Sequence, residues 1–402
     1  MKILQINKFY YLKGGSERYF FDLSEILKKN GHKIIPFSMQ DDNNLPSKYT
    51  KYFIKKVDLN KFNLINILKF FYNYDAVKRL KKLIKYEKPD IAHLHNIAHQ
   101  FSPEIIRILK KNNIKIAQTL HDYKLICPNA KLFAHNQNCE KCQGGKYYNC
   151  LKRKCVKNSY LKSFMAALEA YLWNRLLKVY NKVDMFIAPS KFMRDKCADF
   201  GVPEEKIKVV YNFYDAPVNG EIEVKNTEKY ILYYGRLSKE KGVDVLLEAM
   251  RSVKGEFKLK IVGSGPEYKH LERQINKFNL QDRVSLLGPK YGKDLQIIIN
   301  QAMVVVLPSL WPENMPYCLL EPMAIGKTMI VSRVGGMTEI IKDKENGFSF
   351  APGDFNVLAN IINNLEKFDY KKIGEEAKET IKKLNSKNHY QKILKVYTEL
   401  RK

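Results

Sequence analysis

Residues 229–265, KYILYYGRLSKEKGVDVLLEAMRSVKGEFKLKIVGSG, decide the fold. KYILYYGRL is a short apolar run rich in aromatic and β-branched residues, which predicts a strand. SKEKG reads as a turn. Val243, Leu246, Leu247 and Met250 then recur at helical spacing, so a helix with one apolar face follows. KLKIVGSG is the next strand. Strand, helix and strand in this order imply a parallel pair joined by a right-handed crossover.

The chain says the same thing near its start, in residues 1–39, MKILQINKFYYLKGGSERYFFDLSEILKKNGHKIIPFSM. MKILQINKF is a strand and KGGSE a glycine turn. RYFFDLSEILKKNG is a helix with Tyr19, Leu23, Ile26 and Leu27 at helical spacing, ended by Gly31, and HKIIPFSM is a strand. Further apolar runs continue each half: IAHLH, IKIAQTL, DMFIAPS and IKVVYN in the first, and RVSLLG, MVVVLPS, TMIVSR and NGFSF in the second. The expected architecture is therefore α/β, with two Rossmann-like doubly wound parallel-sheet domains. The first spans 1–214, the polar stretch 215–229 (DAPVNGEIEVKNTEK) is a linker, and the second spans 230–380. The helix expected over 381–402 is free to cross back to the first domain.

Composition bounds the function. A chain of 402 residues exceeds one ordinary core, and 25 tyrosines with 21 phenylalanines exclude a disordered chain. No run of eighteen apolar residues occurs, so no membrane-spanning helix is expected, and the first residues lack the apolar core of a secretory signal. A cytoplasmic chain is the expectation. The net charge of +28 is uneven: residues 48–88 carry twelve Lys or Arg against three acids, interleaved with aromatic and aliphatic residues. That stretch reads either as an ordinary helix with solvated lysines or as a surface lying on anionic lipid at the inner face of the membrane. Nucleic acid is the weakest of the three readings.

Ligands of open parallel sheets bind beyond the carboxyl ends of the strands, where glycine turns and helix N-termini present N–H groups. Two such sheets facing each other would form an interdomain cleft. Candidate anion-binding loops occur in both halves. Gly14-Gly15 opens the first helix; Arg236 and Lys241 flank the turn after KYILYY; Gly263-Ser264-Gly265 follows the next strand. A guanidinium and an ammonium on one loop suit a diphosphate without a divalent metal. Neither G-x-G-x-x-G nor a Walker loop is present, which weakens a dinucleotide or P-loop reading. His121 ends the strand IKIAQTL, where an imidazole can hydrogen-bond a sugar hydroxyl or exchange a proton. His93 and His95, also at a strand end, read as structural lining.

The segment WPENMPYCLLE, residues 311–321, places Glu313 and Glu321 across a loop-to-helix junction. Pro316 suits the first turn of a helix and Gly326 its C-terminal cap, while Pro322 predicts a kink or a tightened turn. Residues 127–155 hold Cys127, Cys139, Cys142, Cys150 and Cys155, five of the seven cysteines, as an insertion directly after His121. Cys139-x-x-Cys142 with Cys150 and Cys155 reads either as a structural zinc site or as free or redox-active thiols.

The set GGSERYFFDLSEIL, TLHDY, YYGRLSKEKGVDVLLEAM, IVGSGPEY, VVVLPSLWPENMPYCLLEPMAIG and SRVGGMTEIIKDKENGFSF resembles the family 4 retaining glycosyltransferases, in their order and spacing, over most of the chain. The resemblance implies the GT-B fold and transfer of a hexosyl-type sugar from a nucleoside-diphosphate sugar to a glycan or lipid-linked acceptor, in cell-surface polysaccharide or glycolipid synthesis. It implies that Gly15 packs against the donor diphosphate and that Arg236 and Lys241 bind it. Glu313 would contact the donor sugar, helped by the backbone of Asn314, Met315 and Pro316, and Glu321 would hold the ribose hydroxyls. His121 would touch the sugar, and base contacts would be backbone groups around Gly288 to Lys290. No cofactor or metal is required for catalysis on this scheme. The alternative is a non-catalytic GT-B protein that binds anionic lipid or nucleic acid, which the intact Arg236, Lys241, Glu313 and Glu321 set argues against.

Overall fold

The computed structural model describes residues 1–57, 64–216 and 229–402. The chain divides into two compact units. The first comprises Met1–Leu132, Glu140–Asn212 and Lys387–Lys402; the second comprises Phe133–Cys139 and Phe213–Ser386. Most of the stretch 215–229, expected as a linker, lies outside the described residues.

The first unit is built on β1 (Lys2–Ile6), β2 (Lys33–Phe37), β3 (Ile91–Leu94), β4 (Lys115–Thr119), β7 (Met185–Ala188) and β8 (Ile207–Val209). Between β4 and β7 a small antiparallel hairpin forms from β5 (Phe133–Ala134) and β6 (Gln137–Asn138). The six main strands are all parallel, in the order β2-β1-β3-β4-β7-β8. After β1 comes the helix Gly15–Lys29. It turns Tyr19, Phe20, Leu23 and Leu27 inward, which is the spacing that predicted it. The second unit holds β9 (Tyr230–Tyr234), β10 (Lys258–Val262), β11 (Val284–Leu286), β12 (Val304–Leu307), β13 (Thr328–Ser332) and β14 (Phe348–Phe350). These strands are also parallel, ordered β11-β10-β9-β12-β13-β14. All residues of β9 and β13 are buried, as in a sheet covered by helices on both faces. Each large apolar side chain removed from water contributes about 1.5–3 kcal/mol before chain entropy is counted.

That second order reverses at β9, which pairs with β10 on one side and β12 on the other. The loops leaving β9 and β12 therefore diverge to opposite faces and open a crevice at their carboxyl ends. Residues 236–241 lie on the first of those loops and 311–316 on the second, with Glu321 in the helix that follows it.

Three expectations change in detail. Pro316 sits just before the helix Tyr317–Ala324, with extended backbone at ψ 142°, rather than inside its first turn. Pro322 is tolerated, and the tightening appears in the first turn, where Leu319 N–H reaches back three residues to the Pro316 carbonyl at 3.0 Å. The terminal helix runs Ser386–Arg401, because Lys382 ends the preceding helix Tyr370–Lys382 and Leu384 folds back onto the Ile381 carbonyl. The basic stretch 48–88 also becomes concrete where it is described. Its helix Tyr74–Glu87 buries Ala76, Val77, Leu80, Leu83 and Ile84 and leaves Lys78, Lys81, Lys82 and Lys85 in solvent.

Candidate active site

The loop after β9 and the loop after β12 are bound to each other. Leu310 N–H donates to the Glu240 carbonyl at 2.9 Å. On this frame the Lys241 ammonium donates to Glu313 Oε1 at 2.5 Å, and Ser309 hydroxyl donates to the same oxygen at 2.7 Å. Glu313 is 4% exposed. Burial alone would lower the Lys241 pKa; the carboxylate of Glu313 outweighs it and holds the ammonium above its ordinary range. The Lys241 ammonium also lies 5.4 Å from the centre of the Trp311 ring.

The backbone of Glu313 is held from behind by the Gly335-Gly336 loop, where Gly336 N–H donates to the Glu313 carbonyl at 2.7 Å. Gly335 has φ +59°, and a Cβ there would stand 2.0 Å from that carbonyl oxygen, so only glycine fits. The quoted resemblance contained this glycine pair, but spacing alone did not reveal what it touches.

Arg236 is more exposed than Lys241. Its Nη2 donates to Glu240 Oε1 at 2.6 Å and its Nε to Ser238 Oγ at 3.2 Å. Glu240, itself buried, thereby anchors a half-solvated guanidinium beside Lys241 in the chain. Glu321, in the helix Tyr317–Ala324, accepts from the Tyr234 hydroxyl at 3.0 Å. One turn before it lies Cys318, whose thiol is pushed up to about 12 by burial, against some lowering by Lys241. Glu240, Ser309, Tyr234 and Cys318 are the neighbours that sequence reasoning missed. Each contacts its partner through folding rather than through a motif.

Gly263 has a packing role in the fold. A Cβ on it would fall 1.9 Å from the Gly235 carbonyl, so the glycine serves the packing of the loop after β10 on the loop after β9. Asn314, Met315 and Pro316 form the chain between Glu313 and the helix, and Met315 is buried.

In the first unit, Gly14 precedes the helix Gly15–Lys29 with extended backbone, and a Cβ there would meet nothing nearer than Glu17 Oε2 at 3.7 Å. His121 follows β4 and stands in a column of imidazoles. His95 Nδ1 is 3.0 Å from His121 Nε2, and the rings of His93 and His95 stack at 4.5 Å. His93 Nδ1 is 2.7 Å from the Tyr397 hydroxyl, and His389 Nε2 is 3.1 Å from the Tyr19 hydroxyl, both partners coming from the terminal helix or meeting it. Burial drives the pKa of His93, His121 and His389 down to about 3. At neutral pH these are uncharged rings able to donate one hydrogen bond and accept another. His93 and His95 thus line the unit, as expected.

The cysteine-rich segment is compact. Cys142 and Cys150 are buried with Tyr147, Ala167 and Ala170, and Cys155 packs against them. The neighbouring Cys155 thiol, with burial, pushes the Cys150 pKa up, whereas Cys150 draws that of Cys155 down against the effect of burial. Among the described residues no group of three or more His, Cys, Asp or Glu is arranged to hold a metal ion. Close by, the buried Glu169 carboxylate accepts from Lys124 at 2.6 Å and lies 3.3 Å from His99.

Comparison with known proteins identifies the fold and the family. The Glycosyltransferase Family 4 model matches residues 13–216, and the Glycosyl transferases group 1 model matches residues 219–383. Two proteins of Methanocaldococcus jannaschii named as uncharacterized glycosyltransferases are similar. One is 33% identical over 236 residues, 51% of this chain and 60% of its own length; the other is 28% identical over 414 residues, 100% and 99%. The lipopolysaccharide 1,6-galactosyltransferase of Escherichia coli K12 is 28% identical over 192 residues, 45% of this chain and 52% of its own. The structure of Anabaena HepE in complex with UDP-glucose superposes with a TM-score of 0.71 at 18% identity, covering 99% of this chain and 100% of that one. The two six-stranded units are those of the GT-B fold. The chain is a glycosyltransferase and belongs to glycosyltransferase family 4.

Proposed function

We propose that the protein transfers a hexosyl-type sugar, with retention of configuration, from a nucleoside-diphosphate sugar to a glycan or lipid-linked acceptor in cell-surface polysaccharide or glycolipid synthesis. The observation that carries the donor assignment is the buried Lys241–Glu313–Ser309 cluster at the reversal of strand order, with Arg236 at its mouth. HepE, of the same fold, is seen with UDP-glucose, and a lipopolysaccharide galactosyltransferase is among the relatives, which supports donor and acceptor classes.

Lys241 and Arg236 are assigned to the diphosphate. As the bond from the anomeric carbon to the phosphate oxygen breaks, its electron pair stays on the diphosphate. The two cations and the N-terminus of the helix Tyr317–Ala324 stabilise that charge as it grows. The acceptor oxygen then attacks from the face the phosphate leaves, and its proton passes to the departing phosphate oxygen. No protein base and no metal enters this scheme. Glu313 contacts the sugar and fixes the Lys241 ammonium, with the Asn314–Pro316 backbone beside it. Glu321 holds the ribose hydroxyls, for which a carboxylate is a natural acceptor. His121, Gly14 and Gly15 stay assigned to sugar and diphosphate contacts.

The test is a thermal-shift screen of the full chain against UDP, GDP, ADP and their sugars, followed by nucleoside diphosphate release with the stabilising donor. A Lys241→Ala protein that releases product as fast as wild type would sink the reading.

A further inference from the structure

The helix Tyr160–Ala170 in the first unit is built inside out. Its buried residues are Ser163, Ala166, Ala167, Glu169 and Ala170, which are small or polar. Its large apolar residues face water: Tyr160, Leu161, Phe164 and Leu168 are 60, 54, 46 and 43% exposed. At about 100° per residue these four share one face of the helix. An ordinary surface helix turns its apolar stripe inward. The widened turn Tyr171–Leu176 follows, and Leu176 remains 75% exposed at its end. A run of exposed apolar groups this continuous marks a contact surface rather than a scattered set of surface side chains.

The charge around it has one sign. Residues 146–182 contain nine Lys or Arg and a single acid, Glu169, which is buried and bound to Lys124. Lys152 and Lys157 are exposed before the stripe, Arg175 and Lys178 after it. The Lys154 ammonium lies 4.2 Å from the centre of the Tyr160 ring, so an aromatic and a cation share the rim. The helix Tyr74–Glu87 differs, because its apolar face is buried and only its lysines are outside.

We propose that the Tyr160–Leu176 surface docks the protein on an anionic bilayer. Leu161, Phe164, Leu168 and Leu176 enter the boundary between headgroups and acyl chains, and the flanking Lys and Arg residues meet lipid phosphates. Charge complementarity selects this occupant over a second copy of the chain, since two such faces would set cation against cation. The placement takes its purpose from the lipid-linked acceptor reading and rests on it, yet its measurement needs neither donor nor acceptor.

The experiment is co-sedimentation of the full chain with vesicles of phosphatidylcholine alone and of phosphatidylcholine mixed with phosphatidylglycerol, at low and high salt. Binding is expected on the mixed vesicles only and is expected to weaken with salt. The Phe164→Glu/Leu168→Glu protein is expected to bind about tenfold more weakly or worse, with only a small shift in melting temperature because neither side chain belongs to the buried core. A second pair, Leu161→Ser/Leu176→Ser, should weaken binding in the same direction. Equal binding to neutral and anionic vesicles, or binding untouched by both pairs of substitutions, overturns the proposal. So does a solution dimer that Phe164→Glu/Leu168→Glu splits into monomers. Stabilisation by nucleoside diphosphates, measured on the same preparations, reports the donor site separately, so loss of one reading leaves the other standing.

Discussion

The Lys241 ammonium and the Glu313 carboxylate meet at 2.5 Å although 72 positions separate them in the chain. Neither side chain is free to leave the other cheaply, because both are largely out of water. Removing one partner strands a buried charge, which typically costs about 3–5 kcal/mol. Lys241→Ala and Glu313→Ala should each lower stability on that scale in urea unfolding. Lys241→Ala/Glu313→Ala should lose clearly less than the sum of the two single losses, and additive losses across this cycle would argue against coupling.

Gly335 and Gly14 should respond oppositely to alanine. At Gly335 the new methyl would clash with the Glu313 carbonyl in a left-handed backbone, so Gly335→Ala is expected to lose about 1–3 kcal/mol and to disturb donor binding. At Gly14 the fold has room, and Gly14→Ala should melt with wild type. If Gly14 serves the diphosphate, that variant will still bind donor more weakly in calorimetry.

Stability should fall on acidification before the carboxylates titrate. In the unfolded chain His93 and His389 take up protons near pH 6.5, whereas burial holds them neutral in the fold down to about 3. The unfolded state therefore binds more protons in the window from 6.5 to 3. The stability they confer is complete above that window and drains away as the pH descends through it. Each histidine should contribute a slope of up to about 1.4 kcal/mol per pH unit. Urea unfolding between pH 7 and 5 reads the slope, and His389→Gln should flatten it by about one proton.

Glu313 and Glu321 should separate kinetically. Glu321→Ala would remove the proposed ribose contact and is expected to raise the donor KM roughly tenfold with kcat little changed. Glu313→Gln disturbs the Lys241 ammonium, assigned above to the leaving diphosphate, and is expected to lower kcat by roughly a hundredfold. Initial rates over a donor series check both; the reverse pattern would exchange the two roles.

The fold was legible because each strand and helix announces itself locally. KYILYY is apolar on both faces and became β9, and Tyr19, Leu23 and Leu27 sit at the spacing the helix buries. The site was legible only as far as charged residues stand beside glycines and prolines. Lys241 and Glu313 could be named, but not their contact with each other or with Ser309, since distance along the chain carries no angle. The imidazole column escaped for the same reason: Tyr19 meets His389 across 370 positions. The helix Tyr160–Ala170 shows a further limit. Periodicity reveals that a helix has two faces without saying which one the protein keeps.

Because residues 387–402 belong with the first unit, a ribosome completes that unit only after it has made the second. Until residues 387–402 emerge, His93 lacks Tyr397 and Tyr19 lacks His389, while all of the second unit has already been synthesised. The nascent first unit must therefore wait with part of its interior open, and the closing helix acts as a clasp applied after both sheets exist.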